Sequence, residues 1–319
     1  MIAPIPIDKI KGSLAFVKEG GENAEERHHI PIVTILVRAC NVGRFVADTL
    51  ESILRQDYQK WETIILDDAS DDATEHIVKP YCQKDQRFKY VRNLHRLGRT
   101  RNLNLGLALA RGEYTCVLDG DDTWCTKHTL SSVVTCLRED PNIVLAAGNV
   151  AEINERNEII RHFPNLWKSD YEIKNHLLVE NIIAQNSVCF RTALVRNMGG
   201  YDERLSYTED YELWLRLGLY GKIQKLTETL GGYRIHDNNI GVRKRQFQII
   251  EEMRVVWRYR HAYPHFTIAV TNRITNFIAS LIPKKLRHGV ALGLKYHEIK
   301  AKMLNRITKQ DITTKNHIP

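Results

Sequence analysis

Short apolar runs alternate with amphipathic stretches along the first third of the chain. The apolar runs are rich in β-branched residues and predict buried strands, and the stretches between them carry apolar residues at helical spacing. The predicted strands cover 32–37, 61–66, 88–93 and 114–118, and the predicted helices cover 45–56, 73–84 and 100–110. Because strands that alternate with helices of about 10–15 residues form βαβ units, this order predicts an α/β fold with a mostly parallel sheet flanked by helices.

The pattern changes twice farther along the chain. It first becomes mixed, with predicted helices at 131–138 and 211–219 and predicted strands at 143–150 and 183–190. From Phe247 onward it is helical, and a run ended by Pro283 places five apolar residues on one helix face: Ile274, Phe277, Ile278, Leu281 and Ile282. We therefore expect a leader or edge segment over 1–30, a main α/β domain over 31–240 and a helical C-terminal extension over 241–319.

The composition is that of an ordinary globular protein. Of 319 residues, 43% are hydrophobic and 26% are charged, and no uncharged apolar run approaches the length of a membrane-spanning helix. The six cysteines include no CxxC pair, and the first residues lack a basic region followed by an apolar block. We therefore expect a reducing, cytoplasmic location and no secretory signal.

The net charge of +8 is unevenly placed. Residues 243–319 hold 16 Lys and Arg against 4 Asp and Glu, whereas residues 1–242 hold 30 against 34. Two interpretations of the C-terminal helices stay open: they pack on the main domain, or they lie on an anionic membrane surface as a peripheral anchor. Nucleic acid is not an expected partner, because the basic residues are spread over helices and the rest of the chain is slightly acidic.

The most informative stretch is the fourth predicted strand and the residues after it. The apolar run 114–118 leads directly into Asp119, Gly120, Asp121 and Asp122. Ligands of open α/β sheets bind at the carboxyl ends of the strands, and three unpaired carboxylates in one place would be costly to bury. A divalent cation such as Mg²⁺ or Mn²⁺ would resolve this conflict, whereas a solvated acidic turn is the plain alternative.

Three further polar clusters accompany this one. Asp67 and Asp68 follow the second predicted strand, and Glu209 and Asp210 open a predicted helix. Acidic residues at a helix N-terminus are also ordinary partners of the helix dipole, so this position alone does not indicate a function. The last cluster is the stretch Gly-Tyr-Arg-Ile-His-Asp-Asn at 232–238.

Taken in order, these segments resemble the family 2 glycosyltransferases of bacterial surface-polysaccharide type. The resembling segments span about 31–240 and lie at 31–41, 50–58, 61–70, 98–102, 110–114, 118–122, 208–216 and 233–236. The resemblance implies the GT-A fold, with a Rossmann-like sheet, and the inverting transfer of a sugar from a nucleotide-sugar donor. Where the family commonly has Pro and Tyr before the Asn that ends its first strand, this chain has Arg38 and Cys40, which leaves the identity of the base open.

The resemblance also implies roles for individual residues. Asp68, helped by Asp67, would accept a hydrogen bond from the base, and Asp119 would contact the ribose or the metal. The full set of residues implied to bind the nucleotide-sugar is Val37, Ala39, Asn41, Asp67, Asp68, Arg101, Asp119 and Gly120. Asp121 would ligate Mn²⁺ or Mg²⁺ directly, with Asp122 beside the ion and His236 completing the site. Asp210 would be the catalytic base, with Glu209 orienting it or the acceptor.

The expected function is thus the metal-dependent transfer of a sugar, most often UDP-linked, to a hydroxyl of a glycan or lipid-linked oligosaccharide in surface polysaccharide biosynthesis. Two alternatives remain. Residues 119–123 match the DxDxT pattern of haloacid-dehalogenase-type phosphatases, although that motif normally begins its domain and three strand–helix units precede it here. The chain could also be a non-enzymatic module that binds membranes or polyanions through its basic tail.

Overall fold

The computed structural model describes residues 14–15, 32–163, 169–237, 239 and 244–281. Ten strands and nine α-helices lie in these ranges. The strands are β1 Leu14–Ala15, β2 Val33–Ala39, β3 Trp61–Asp67, β4 Phe88–Asn93, β5 Tyr114–Asp119, β6 Thr123–Trp124, β7 Ile143–Ile153, β8 Ile159–His162, β9 Val188–Arg191 and β10 Lys222–Arg234. The helices are α1 Val46–Leu54, α2 Thr74–Lys84, α3 Arg99–Leu109, α4 Thr129–Glu139, α5 Asp170–Leu177, α6 Thr192–Asn197, α7 Glu209–Gly218, α8 Arg245–Arg258 and α9 Phe266–Leu281.

The strands form one sheet in the order β1-β4-β3-β2-β5-β9-β7-β10-β6, with β8 paired to β7. Strands β4, β3, β2 and β5 run parallel to one another, and β7 runs parallel to β10. Strand β9 joins the two parallel groups by pairing antiparallel with both β5 and β7. The predicted α/β fold, with a mostly parallel sheet flanked by helices, is confirmed.

Helices cover both faces of the sheet, so β2 and β3 are buried at every position. Such strands read as continuous apolar runs because neither face meets water. Alternate residues of β2 enter two hydrophobic clusters: Val33, Ile35 and Val37 pack with α1, α2 and α4, whereas Leu36 packs with α3, α5, α7, α8 and α9. The carboxyl ends of β2, β3 and β5 are thereby held side by side at one edge.

Two expectations about the second half differ from the structure. The segment predicted as a strand at 183–190 begins with a single 3-10 turn at Gln185–Ser187, and extended pairing starts only at Val188. Its polar side chains are buried in contacts of their own, such as the Ser187 hydroxyl, which donates to the carbonyl of Gly148 (3.1 Å). The sequence pattern predicts no strand over the 13 residues of β10, because bulges between Lys225 and Gly231 break its alternation.

The apolar stripe of the C-terminal helix does not face the core. Helix α9 buries Ala269 and Arg273, whereas Ile274, Ile278 and Leu281 are exposed. The described part of the extension therefore packs on the sheet domain through a face other than this apolar stripe. Ile282, Pro283 and the basic run at 284–288 lie outside the described residues. Among the helices that the structure describes, none is both long and apolar enough to cross a membrane.

Candidate active site

The three carboxylates after β5 converge, as the sequence predicts. Oxygen atoms of Asp119, Asp121 and Asp122 lie within 4.8 Å of one another. Asp119 and Asp121 are partly exposed, with about a quarter of each side chain accessible, whereas Asp122 is buried. A divalent cation fits this group, because hard carboxylate oxygens are its preferred ligands and its charge would relieve the repulsion among them.

Asp122 forms the closed wall of this cluster. One carboxylate oxygen accepts the backbone N–H of Arg234 (2.8 Å), and the other accepts the side-chain amide of Asn186 (3.0 Å). Burial, together with the negative charges of Asp121 and Asp119, raises the pKa of Asp122 well above its usual value. Asp122 therefore stabilises the cluster on its buried side, while the two more exposed carboxylates face the open side.

The Tyr-Arg-x-His stretch explains the geometry of Asp121. Burial favours a raised pKa for Asp121, but the hydrogen bond and charge of His236 hold that pKa below its usual value. The Nε2 atom of His236 lies 3.0 Å from a carboxylate oxygen of Asp121, and its ring packs on Phe45. The buried Arg234 guanidinium donates to the backbone carbonyl of Asp121 (2.7 Å). Thus His236 contacts the carboxylate and Arg234 fixes the backbone that carries it.

The loops after β2 and β3 form a hydrogen-bonded edge where nucleotide contacts are predicted. Asp68 accepts the backbone N–H groups of Leu97 (2.7 Å) and Gly98 (2.9 Å) and the amide of Asn93 (3.0 Å). Asp67 is fully buried and accepts the hydroxyl of Tyr90 and the backbone N–H of Ser70 (2.8 Å). Both carboxylates therefore already order the surrounding loops, and their roles toward a base stay predictions.

The remaining residues predicted at the nucleotide site are placed less uniformly. Val37 and Ala39 are buried within β2, and Asn41 adopts a positive φ of 56° at its end. Gly120 packs so closely under Arg38 that an added Cβ would lie 2.8 Å from the Arg38 carbonyl. Arg101 is 63% exposed and pairs with Glu203 (3.4 Å).

Arg38 joins the acidic cluster to the helix of the predicted base. It is 9% exposed, and its Nε and Nη2 atoms donate to the two carboxylate oxygens of Asp119 at 2.5 and 2.6 Å. Its Nη1 atom donates to Oε1 of Glu209 (2.9 Å), and Nε of Arg99 lies 3.4 Å from the same oxygen. The sequence indicates Arg38 only as a departure from the family pattern, and Arg99 only as a member of the resembling segment 98–102.

The first turn of α7 presents two carboxylates in different states. Glu209 is buried and paired with Arg38, whereas Asp210 is half-buried. Asp210 accepts the backbone N–H of Tyr211 (2.7 Å) and, more weakly, the side-chain amide of Asn181 (3.3 Å). Burial and the neighbouring charge of Glu209 raise the pKa of Asp210 to about 7. A carboxylate that titrates near neutral pH is suited to accept a proton during a reaction.

An acidic cluster at the carboxyl edge of a mostly parallel sheet, together with a carboxylate at a helix N-terminus, is the arrangement expected of a glycosyltransferase with the GT-A fold. The chain belongs to glycosyl transferase family 2, whose model matches residues 34–197. The predicted family, fold and enzyme class are thereby confirmed, and the phosphatase and non-enzymatic alternatives are not supported.

Known proteins resemble this chain over most of its length. An uncharacterized glycosyltransferase of Methanocaldococcus jannaschii, MJ1057, is 30% identical over 68% of this chain and 76% of its own. TuaG of Bacillus subtilis, whose name assigns it to teichuronic acid biosynthesis, is 26% identical over 67% of this chain and 83% of its own.

Two solved structures share the fold at lower sequence identity. The mannosyltransferase PcManGT of Pyrobaculum calidifontis, in complex with GDP-Man and Mn²⁺, has a TM-score of 0.60 at 19% identity, covering 89% of this chain and 87% of its own. Residues 1–349 of TarS of S. aureus, in complex with UDP, have a TM-score of 0.57 at 20% identity, covering 78% and 70%.

Proposed function

We propose that this enzyme is a metal-dependent inverting glycosyltransferase that moves a sugar from a nucleotide diphosphate donor, UDP-linked in the first instance, to an acceptor hydroxyl. The proposal rests on two groups in one site. One is Asp210, whose pKa is near 7, and the other is the Asp cluster, which Arg38 joins to the helix that carries Asp210. One side of the site thus offers a base, and the other offers ligands for a cation.

Each group has a defined task in such a reaction. Asp119, Asp121 and His236 would hold Mn²⁺ or Mg²⁺, which when bound supplies positive charge that stabilises a departing diphosphate. Asp210 accepts the proton of the acceptor hydroxyl as that oxygen attacks the sugar. The family resemblance implies a single displacement that inverts the anomeric centre, and Glu209, which is paired with Arg38, would orient Asp210 or the acceptor.

The donor base is proposed from the family and from two structural relatives, one bound to UDP and one to GDP-Man. The test is calorimetric titration of a panel of nucleoside diphosphates with and without Mn²⁺, on the wild type and on Asp121→Ala. Asp71→Ala is the matched control, since Asp71 is 79% exposed at the same edge and outside the cluster. We expect Mn²⁺-dependent binding of one nucleotide that only Asp121→Ala abolishes; no binding to any nucleotide would reject the donor site.

For the acceptor we propose a glycan or lipid-linked oligosaccharide of a surface polysaccharide, assembled on the cytoplasmic side of a membrane. The name of the relative TuaG and the basic C-terminal segment support this class. Helices α8 and α9 also expose six large apolar side chains, which suit a peripheral contact with an anionic bilayer: Phe247, Ile250, Trp257, Ile274, Ile278 and Leu281.

Co-sedimentation with vesicles tests the membrane contact. We expect the wild type to bind anionic vesicles more than zwitterionic ones, and the double variant Trp257→Ser, Ile278→Ser to lose this binding. The control is Leu219→Ser, Tyr220→Ser, which removes two exposed apolar side chains beyond the end of α7. Equal recovery of both double variants with the vesicles would remove this surface from the proposal.

A further inference from the structure

The C-terminal helices hold the segment that leads into the helix of the proposed base. The carboxylate of Glu251 on α8 accepts the backbone N–H groups of Ser206 (3.0 Å) and Tyr207 (2.8 Å) and the hydroxyl of Thr208 (3.3 Å). These residues directly precede α7, which begins at Glu209. A carboxylate at this position also interacts favourably with the positive end of the dipole of α7. The segment that leads into α7 therefore takes hydrogen-bond partners from α8.

A second polar contact comes from Arg273 on α9, which is only 2% exposed. Its Nη2 atom donates to the hydroxyl of Tyr211 (3.1 Å), and its Nη1 atom donates to the carbonyl of Val179. Its Nε atom lies 3.3 Å from a carboxylate oxygen of Glu252, and its guanidinium carbon lies 5.5 Å from the centre of the Tyr211 ring. Tyr211 in turn donates to the carbonyl of Leu178 (2.8 Å). One buried guanidinium thus joins α9, α7 and the segment after α5.

The segment from 178 to 187 connects these contacts to both sides of the active site. Asn181, two residues after Val179, donates to Asp210, and Asn186 donates to Asp122 in the acidic cluster. The carbonyl of Val179 also accepts a hydrogen bond from the side-chain amide of Asn272 (3.0 Å). Arg273 therefore touches the chain immediately after Asp210 and, through Val179, the segment that carries the amide partner of Asp210.

We propose that Arg273 is a positioning residue for Asp210, acting through Tyr211 and through the Val179–Asn181 backbone; this inference rests on the proposed function. The physical reason is the type of residue at this site. Burying a guanidinium costs desolvation free energy that an apolar side chain would avoid, so Arg273 adds little to the stability of the fold. Its main effect is to fix the positions of the groups that it contacts. Its planar fork serves three directions at once, which the point charge of a lysine cannot do.

The test compares Arg273→Met with Arg254→Met, which removes the same charge from an exposed position on α8. Three quantities are measured: the dissociation constant of UDP with Mn²⁺, the kcat for release of UDP from UDP-sugars with water as acceptor, and hydrogen exchange of backbone amides. For Arg273→Met we expect a kcat about a hundredfold lower, since a misplacement of about 1 Å has that effect, with the dissociation constant changed less than about twofold. Amides of 206–211 should lose protection, while Leu97 and Gly98 at the nucleotide edge should not.

A second variant guards against a folding defect in Arg273→Met. Tyr211→Phe keeps the ring but removes the hydroxyl that joins Arg273 to Leu178, so we expect a smaller fall in kcat of about tenfold. Unchanged protection of 206–211 in Arg273→Met, or unchanged kcat in both variants, would overturn the positioning role. A wild type that binds UDP with Mn²⁺ but releases none from any UDP-sugar would instead reject the proposed transfer reaction, and the exchange data would still decide whether Arg273 orders α7.

Discussion

The two sides of the active site differ in how completely their carboxylates are held. On the nucleotide side, Asp68 accepts three hydrogen bonds from the protein, and Asp122 accepts one on each oxygen. On the base side, Asp210 accepts the amide of its own successor and one long contact from Asn181. Full pairing fixes a carboxylate in place, whereas sparse pairing leaves its oxygens open to accept a proton. The first arrangement suits the ordering of a bound nucleotide, and the second suits proton transfer.

Arg38 is the side chain that connects the two sides, since it binds both Asp119 and Glu209. Its charge offsets one carboxylate of the cluster and one at the start of α7. The geometry of the cluster and that of the base helix are therefore coupled, so a change at Arg38 should affect both sides, whereas a change at Asp210 should affect one. The predictions below separate these effects.

The largest effect is expected from Asp210→Asn. The substitution preserves shape but removes the proton acceptor, so kcat should fall about a thousandfold, within the range of general base catalysis. Binding of UDP with Mn²⁺ should not change, because the contacts of the acidic cluster remain. Steady-state kinetics of UDP release, together with calorimetry, measure both quantities. A variant that keeps more than a tenth of the wild-type kcat would show that Asp210 is not the base.

The next effect is on folding stability and comes from Arg38→Met. Removing one partner of a buried ion pair leaves charge uncompensated, so we expect a loss of about 3 kcal/mol in the free energy of unfolding. The matched control is Arg44→Met, which removes an arginine that donates two hydrogen bonds to Glu155. The side chain of Arg44 is 67% exposed and that of Glu155 is 41% exposed. That exposed pair should contribute less than about 1 kcal/mol. Urea unfolding of both variants gives the comparison, and equal losses would contradict the bridging role of Arg38.

The nucleotide side was largely predictable from the sequence, because its residues follow apolar runs at fixed places. The run 114–118 ends in Asp119, and parallel neighbours bring that end beside the ends of β2 and β3. Hydrophobic spacing alone therefore located the cluster. It could not show that the backbone N–H groups of Leu97 and Gly98 donate to Asp68, since those hydrogen bonds depend on the path of a loop.

The base side was less predictable, because its contacts join residues that no periodicity relates. Arg38 meets Glu209 across 171 positions of sequence, and Asn181 meets Asp210 across 29. The spacing rule also did not identify the face by which α9 packs on the domain, since it treats Arg273 as a solvent-facing residue. The partners that make its burial acceptable, Tyr211 and the Val179 carbonyl, come together only in the fold.

The pH dependence of the rate should report the environment of Asp210. Its pKa of about 7 means that the base is protonated below neutral pH, so kcat/KM should fall about tenfold for each pH unit below that value. Glu209→Gln removes the charge that helps to raise this pKa, so the rising limb of the profile should move to lower pH.

The same pKa should also appear in the stability of the fold. Because folding raises the pKa of Asp210 above its usual 3.8, the protonated form favours the folded state, and this contribution to stability is lost as the pH rises from about 4 through 7. The stability of Asp210→Asn relative to wild type should accordingly increase over that interval, and a constant difference would contradict the raised pKa.

The smallest expected effect compares backbone strain on the two sides. Ala69 follows Asp68 with a φ of 55°, a left-handed conformation that costs an alanine about 1 kcal/mol or more. Ala184 on the base side has an ordinary φ of −86°. Ala69→Gly should therefore raise the free energy of unfolding by about 0.5 kcal/mol, because relief of strain exceeds the added entropy of the unfolded chain, whereas Ala184→Gly should lower it by about 0.5 kcal/mol. Urea unfolding resolves opposite signs of this size, and a loss of stability in both variants would show that the loop after β3 stores no strain.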